Sequence, residues 1–124
     1  MTREAKKEYL KSYRRKREEI QRIEQEINSL KDETGEAERR ESLSELLEQK
    51  RSQCARICMD IIESIEKMEG DTESNLVLQR NLLVERYIRG KKWEEIEESM
   101  HYQKTQLHRI HEKALEHFRT KRWN

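Results

Sequence analysis

The chain has 124 residues, 43% of them charged and 32% hydrophobic, with a formal net charge of +1. Leu, Ile, Val and Phe together number 24, which sits at the edge of a disordered composition, but the near-zero net charge and the periodic apolar residues exclude a self-repelling disordered chain. No stretch approaches the ~18 apolar residues of a membrane span, the basic N-terminus lacks the apolar core of a signal peptide, and no Gly-rich phosphate loop, Ser/His/Asp set or carboxylate pair marks an enzyme.

There is no proline, so the three glycines, Gly35, Gly70 and Gly90, are the natural breaks. The first predicted helix runs from about Thr2 to Lys31. Tyr9, Tyr13, Lys16, Ile20, Ile23, Ile27 and Leu30 alternate at spacings of four and three, a coiled-coil seam holding one lysine. Lys31 to Ser42 has no apolar stripe and is predicted to be a connecting loop. A second helix, about Ser42 to Met68, carries Leu43, Leu47, Lys50, Cys54, Ile57, Ile61, Ile65 and Met68. A short loop between helices of similar length favours an antiparallel hairpin. Aligning Leu30 with Leu43 places Ile23 near Lys50, Lys16 near Ile57 and Tyr9 near Ile65, so the two seam lysines stay apart. Cys54 and Cys58, four apart on one helix face, make poor disulfide geometry. They are expected to be small seam residues rather than half a metal site, and a reducing cytoplasm is the expected compartment.

Gly70 to Asn75 is a break with capping residues. A third helix is predicted over about Asp71 to Arg89 and ends at Gly90. A fourth covers Trp93 to about Met100, and a fifth about Gln103 to Arg119, before a short basic tail. Ile96, Met100, Tyr102, Leu107 and Ile110 have the offsets that hold two helices at a steep crossing, with Trp93 and Phe118 closing the ends. That layout is a helix-turn-helix, in which the start of the second helix enters the major groove. The residues so presented are Gln103, Lys104, Thr105, Gln106, His108 and Arg109, flanked by Lys91, Lys92 and Lys113. Gln and Arg make bidentate contacts to base edges, Thr meets a thymine methyl, and Lys reaches phosphate. His108 and His111 are expected to be exposed or DNA-facing, and Trp93 to be a core residue at a helix start.

Charge is distributed to match. His101 to Asn124 holds six Lys/Arg against two acids, and Met1 to Arg17 holds eight against two. Glu63 to Asn75 holds one lysine against five acids. A hairpin returns the basic N-terminus to the acidic end of helix two, beside the reading helix, where it either pairs with those acids or meets DNA.

The run R-Y-I-R-G-K-K-W-E-E-I, from Arg86 to Ile96, resembles the start of the fourth region of bacterial sigma factors. Together with Y-x-x-x-x-x-H-R-I-H-x-x-A-L, from Tyr102 to Leu115, it more closely resembles small phage-encoded regulators of the ArpU/RinA type. The resemblance covers about Leu82 to Phe118. Two positions depart from the family's pattern: Glu97 stands where alanine is usual, and His101 where the turn usually has glycine. The resemblance implies transcriptional regulation of phage genes, often late genes, and contact with RNA polymerase.

The expectation is therefore an all-α protein, with a coiled-coil-like antiparallel hairpin over residues 1–70 and a three-helix, sigma-region-four-like DNA-binding domain over 71–124. The expected partner is duplex DNA. A homodimer stays open, since a palindromic site requires one, and neither a membrane nor a cofactor or metal is expected. Two other functions compete with this one: a coiled-coil adaptor or anti-sigma-like interaction protein, and a recognition subunit for DNA packaging.

Overall fold

A computed structural model describes residues 1–30 and 35–121, which form five α-helices and no strand. Helix α1 spans Arg3–Ser29 and starts where the Thr2 side chain accepts a hydrogen bond from the Ala5 amide at 3.1 Å, a standard N-cap. Helix α2 spans Glu36–Glu66 and follows Gly35, whose φ is 98°. The loop predicted for Lys31 to Ser42 is therefore shorter than expected. Its first four residues, 31–34, lie outside the described residues, while 36–42 are helical. Ala, Glu and Arg are strong helix formers, and Glu36 and Glu38 in the first turn complement the helix dipole. This turn needs no apolar stripe because charge holds it to α1. Arg39 pairs with Glu26 at 2.6 Å, and Arg40 donates to the Leu30 carbonyl at 2.7 Å.

The two helices run antiparallel, with Glu24 near Arg51, Glu19 near Lys50, and the Tyr9 hydroxyl donating to Asp60. Lys16 lies near Ile57, as the expected register has it, but one detail differs. Lys16 and Lys50 do not stay apart: both reach the same Glu19 carboxylate oxygen, at 3.5 and 3.2 Å. A shared counter-charge, rather than separation, relieves their repulsion, and the Lys50 ammonium beside it holds the Glu19 carboxyl below its usual range. Toward the outer end, Ile20, Leu47 and Cys54 form a small core with Tyr13, Ile23 and Ile27. Both cysteines are free, and burial pushes the Cys54 thiol up.

Helix α3 spans Glu73–Leu83, capped by the Thr72 hydroxyl on the Asn75 amide. The single helix predicted to Arg89 changes character here: Val84–Ile88 is a π-helical turn, closed by a bond from the Arg89 amide to the Val84 carbonyl at 2.9 Å. Such a turn inserts one residue and rotates the side chains around it. It ends at Gly90, with φ 69°. A Cβ at Gly90 would lie 2.7 Å from the Arg14 guanidinium of α1, so that arginine packs directly on the glycine backbone. Helices α4 (Trp93–Met100) and α5 (Lys104–His117) complete the fold.

The largest core joins both halves of the sequence. Tyr9 and Leu10 of α1 and Ile57, Ile61, Ile65 and Met68 of α2 pack with Leu76, Leu83, Tyr87, Ala114, Leu115 and Phe118. Residue 70 is thus a turn, with Gly70 at φ 102°, and the core runs across it. Phe118, expected to close the α4–α5 crossing, is fully buried in this larger core instead. Buried polar groups pin the same junction. The Lys6 ammonium donates to the Leu115 and Glu116 carbonyls at 2.6 and 3.4 Å, capping the C-terminal end of α5, although burial pushes its pKa down. The Thr120 hydroxyl donates to Asp60 at 2.6 Å. No helix among the described residues is long and apolar enough to cross a membrane.

Candidate nucleic-acid interface

Helices α4 and α5 meet through residues 101–103. The turn requires His101 in the left-handed region, at φ 60° and ψ 37°, and its amide bonds the Glu97 carbonyl at 3.0 Å. This conformation favours glycine, and histidine takes it at some cost. The second helix then starts with the Gln106 side chain accepting from the Gln103 amide at 3.1 Å, and the first with Glu95 accepting from the Lys92 amide at 3.0 Å. Leu82, Ile96 and Leu107, all fully buried, pack with Trp93, Met100, Tyr102 and Ile110. Ile96, Met100, Tyr102, Leu107 and Ile110 thus share one small core. Leu82 adds a third wall from α3 that the local α4–α5 pattern does not announce.

This packing fixes which side of α5 faces outward. Leu107, His111, Ala114 and Leu115 point inward, while Gln103, Lys104, Thr105, Gln106, His108, Arg109 and Lys113 are all exposed. Thr105, Arg109 and Lys113 follow one another at every fourth residue on the outer side. Glu112 lies among them and is paired with Arg3 at 3.7 Å. Lys113 has Glu116 at 3.5 Å. Within the described residues, Lys92, Lys104 and Arg109 form no ion pair. The first turn of α5 carries no acid, whereas the first turns of the other four helices each carry at least one. Lys91 stands apart from this face: it is half-buried and pairs with Glu85.

One histidine departs from its expected placement. His111, predicted to be exposed or DNA-facing, is 6% exposed. Its Nε2 shares a 2.7 Å hydrogen bond with the Tyr87 hydroxyl, and its ring meets Trp93 edge-on at 5.1 Å. Burial first, then the cations Lys7, His108, Arg86 and Arg3, pushes its pKa down to about 4. Burial likewise pushes the Tyr87 phenol up to about 12. Both groups are neutral near pH 7. The sequence holds the signal for this placement: positions 107, 111, 114 and 118 form one stripe, and His111 is on it. The π turn adds Arg86, whose guanidinium lies 4.9 Å from the Trp93 ring centre while donating to the Lys91 carbonyl at 2.9 Å. His108 stays exposed, its ring centre 5.3 Å from that of Trp93.

No family model, curated protein or solved structure matches the chain. Among the described residues no group of His, Cys, Asp and Glu could hold a metal ion.

Proposed function

We propose that residues 93–117 form a helix-turn-helix that binds duplex DNA sequence-specifically, and that the chain regulates transcription. The main support is the outer face of α5. A three-residue turn leads into the helix, its inner side is buried, and Gln103, Lys104, Thr105, Gln106, His108 and Arg109 are left exposed on its first two turns. In the major groove, Arg109 suits the O6 and N7 acceptors of guanine, Gln103 suits the edge of adenine, and Thr105 suits a thymine methyl. Lys92, Lys104 and Lys113 suit flanking phosphates. Gln106 has a divided role, since its Oε1 caps the helix start. The likeness of residues 82–118 to sigma-region-four-like phage regulators makes transcription the process, with RNA polymerase as a second partner.

Selection of bound sequences from a random duplex pool tests the proposal. A defined consensus is expected, and Gln103→Ala, Gln106→Ala and Arg109→Ala should each change it or weaken it. Recovery of no duplex at low salt would reject DNA binding in favour of an adaptor role. A consensus untouched by all three substitutions would reject α5 as the reading helix.

A further inference from the structure

Beside the start of α5 lies a groove of about 570 Å³ between α1 and the π turn. Its walls carry Lys7, Lys11, Arg14 and Arg15 from α1 and Arg86 from the π turn, with Glu18 as the one acid. The α1 residues fall at i, i+4, i+7 and i+8, a single helical face. The adjoining face of the same helix, Lys6, Tyr9 and Leu10, is buried against α2 and α5. The basic stripe is thus held in place by the core rather than on a loose arm. His108 belongs to both surfaces: it lines the groove and sits on the exposed first turns of α5.

We infer that this groove is a second DNA contact, holding the phosphodiester backbone that flanks the site read by α5. The inference rests on the DNA-binding reading of α5 and extends it to α1. Several cations in the groove already have carboxylates, with Lys7 by Glu4 at 3.5 Å, Lys11 by Glu8 at 3.8 Å and Arg15 by Glu8 at 2.8 Å. Apart from the half-buried Lys7, the members of these pairs are exposed, and such pairs are weak enough for a phosphate to displace. Arg14 and Arg86 make no carboxylate pair within the described residues. Arg14 is braced on the Gly90 backbone and Arg86 on Trp93. The floor suits a phosphate better than a base: the Trp93 ring already has Arg86 on it and His108 and His111 against it, so stacking room is taken. Phosphate contacts position the protein without reading sequence. The groove should therefore add affinity equally on any duplex.

The test uses the full chain carrying Lys11→Gln, Arg14→Gln and Arg15→Gln, with the same three-fold charge removal at Arg22, Lys50 and Arg51 on the outer hairpin as control. Binding is measured against salt on the selected duplex and on a random one. Each lost phosphate contact flattens the slope of log affinity on log salt by about 0.9. The groove variant is expected to flatten it by about 2.7, and to bind both duplexes at least ~10-fold more weakly at 0.1 M salt by a similar factor. The control should keep the wild-type slope. If the triple substitution lowers stability, the single exposed changes Lys11→Gln and Arg15→Gln should each flatten the slope by roughly one. An unchanged slope in a folded groove variant, while Arg109→Ala still alters site preference, overturns the groove contact and leaves the α5 reading standing. Absence of duplex binding by the wild-type chain at low salt overturns both.

Discussion

His111 is expected to make the fold acid-sensitive well above the pH at which most carboxylates titrate. In the folded chain its pKa is about 4, against 6.5 for an unperturbed histidine. Between those values the unfolded chain binds more protons than the folded one, so stability rises with pH across this window. It is lost as pH falls from about 6.5 and the loss is complete below about 4. At roughly 1.4 kcal/mol per pH unit, the gap amounts to about 3 kcal/mol. The physical reason is on every side of the ring. It is buried, and Lys7 and Arg3 on α1, Arg86 on the π turn and His108 on α5 are the charges that face it. The Tyr87 hydroxyl offers a hydrogen bond but no compensating charge. Urea unfolding from pH 7.5 to 4 would measure the effect, with His111→Gln as the non-titrating reference. The wild-type chain should lose about 3 kcal/mol more than the variant over that range. Carboxylates held below their usual range, such as Asp71 with its bonds from Asn75, Thr72 and Gln79, contribute to acid loss in both proteins and cancel in the difference. Parallel curves for the two proteins, or a His111 ring resonance titrating near 6.5, would refute the reasoning.

Three substitutions probe other parts of the fold by the same unfolding measurement. Leu107 is fully buried in the small core that joins α3, α4 and α5, so Leu107→Ala should cost about 2–5 kcal/mol; a cost below ~1 kcal/mol would mean that core is not packed as described. Gly90 combines a φ of 69° with the Arg14 guanidinium 2.7 Å from a new Cβ, and Gly90→Ala should cost about 1–2 kcal/mol, whereas neutrality would contradict the turn. Glu19 serves two lysines at once, so Glu19→Gln should cost about 1 kcal/mol, and adding Lys50→Gln should recover most of that loss in a double-mutant cycle.

Much of the architecture was legible in local pattern. Gly35, Gly70 and Gly90 mark helix boundaries because a proline-free chain of helix formers has few other places to stop, and all three sit at positive φ. The α4–α5 packing was legible because Ile96, Met100, Tyr102, Leu107 and Ile110 are close in sequence and obey helix spacing. What was hidden depends on distant partners. The early start of α2 rests on Arg39 and Arg40 meeting α1, a charge contact with no periodic signature. The π turn at Val84–Ile88 keeps the composition of an ordinary helix; only its packing reveals the inserted residue. Lys16 and Lys50 meet because Glu19, a polar residue off the apolar seam, draws them together. At the candidate interface, exposure of residues 103–106, 108 and 109 followed from the helix period, while the burial of His111 was readable from its stripe but obscured by its polarity. Phe118 serves the hairpin core because α1 and α2 reach it, which no local spacing could indicate.

The central claim is that the exposed start of α5 reads base pairs. Its most direct measurement is equilibrium binding of the full chain to the selected duplex and to single-base-pair variants of it, for the wild type and for Arg109→Ala. The account predicts that wild-type affinity falls roughly 10²- to 10³-fold between about 50 and 200 mM salt, as expected for about four to six phosphate contacts. It further predicts that Arg109→Ala costs about 1–3 kcal/mol on the selected site and relaxes preference at one guanine position alone. Unchanged discrimination at every position, or no duplex binding even at low salt, would contradict it.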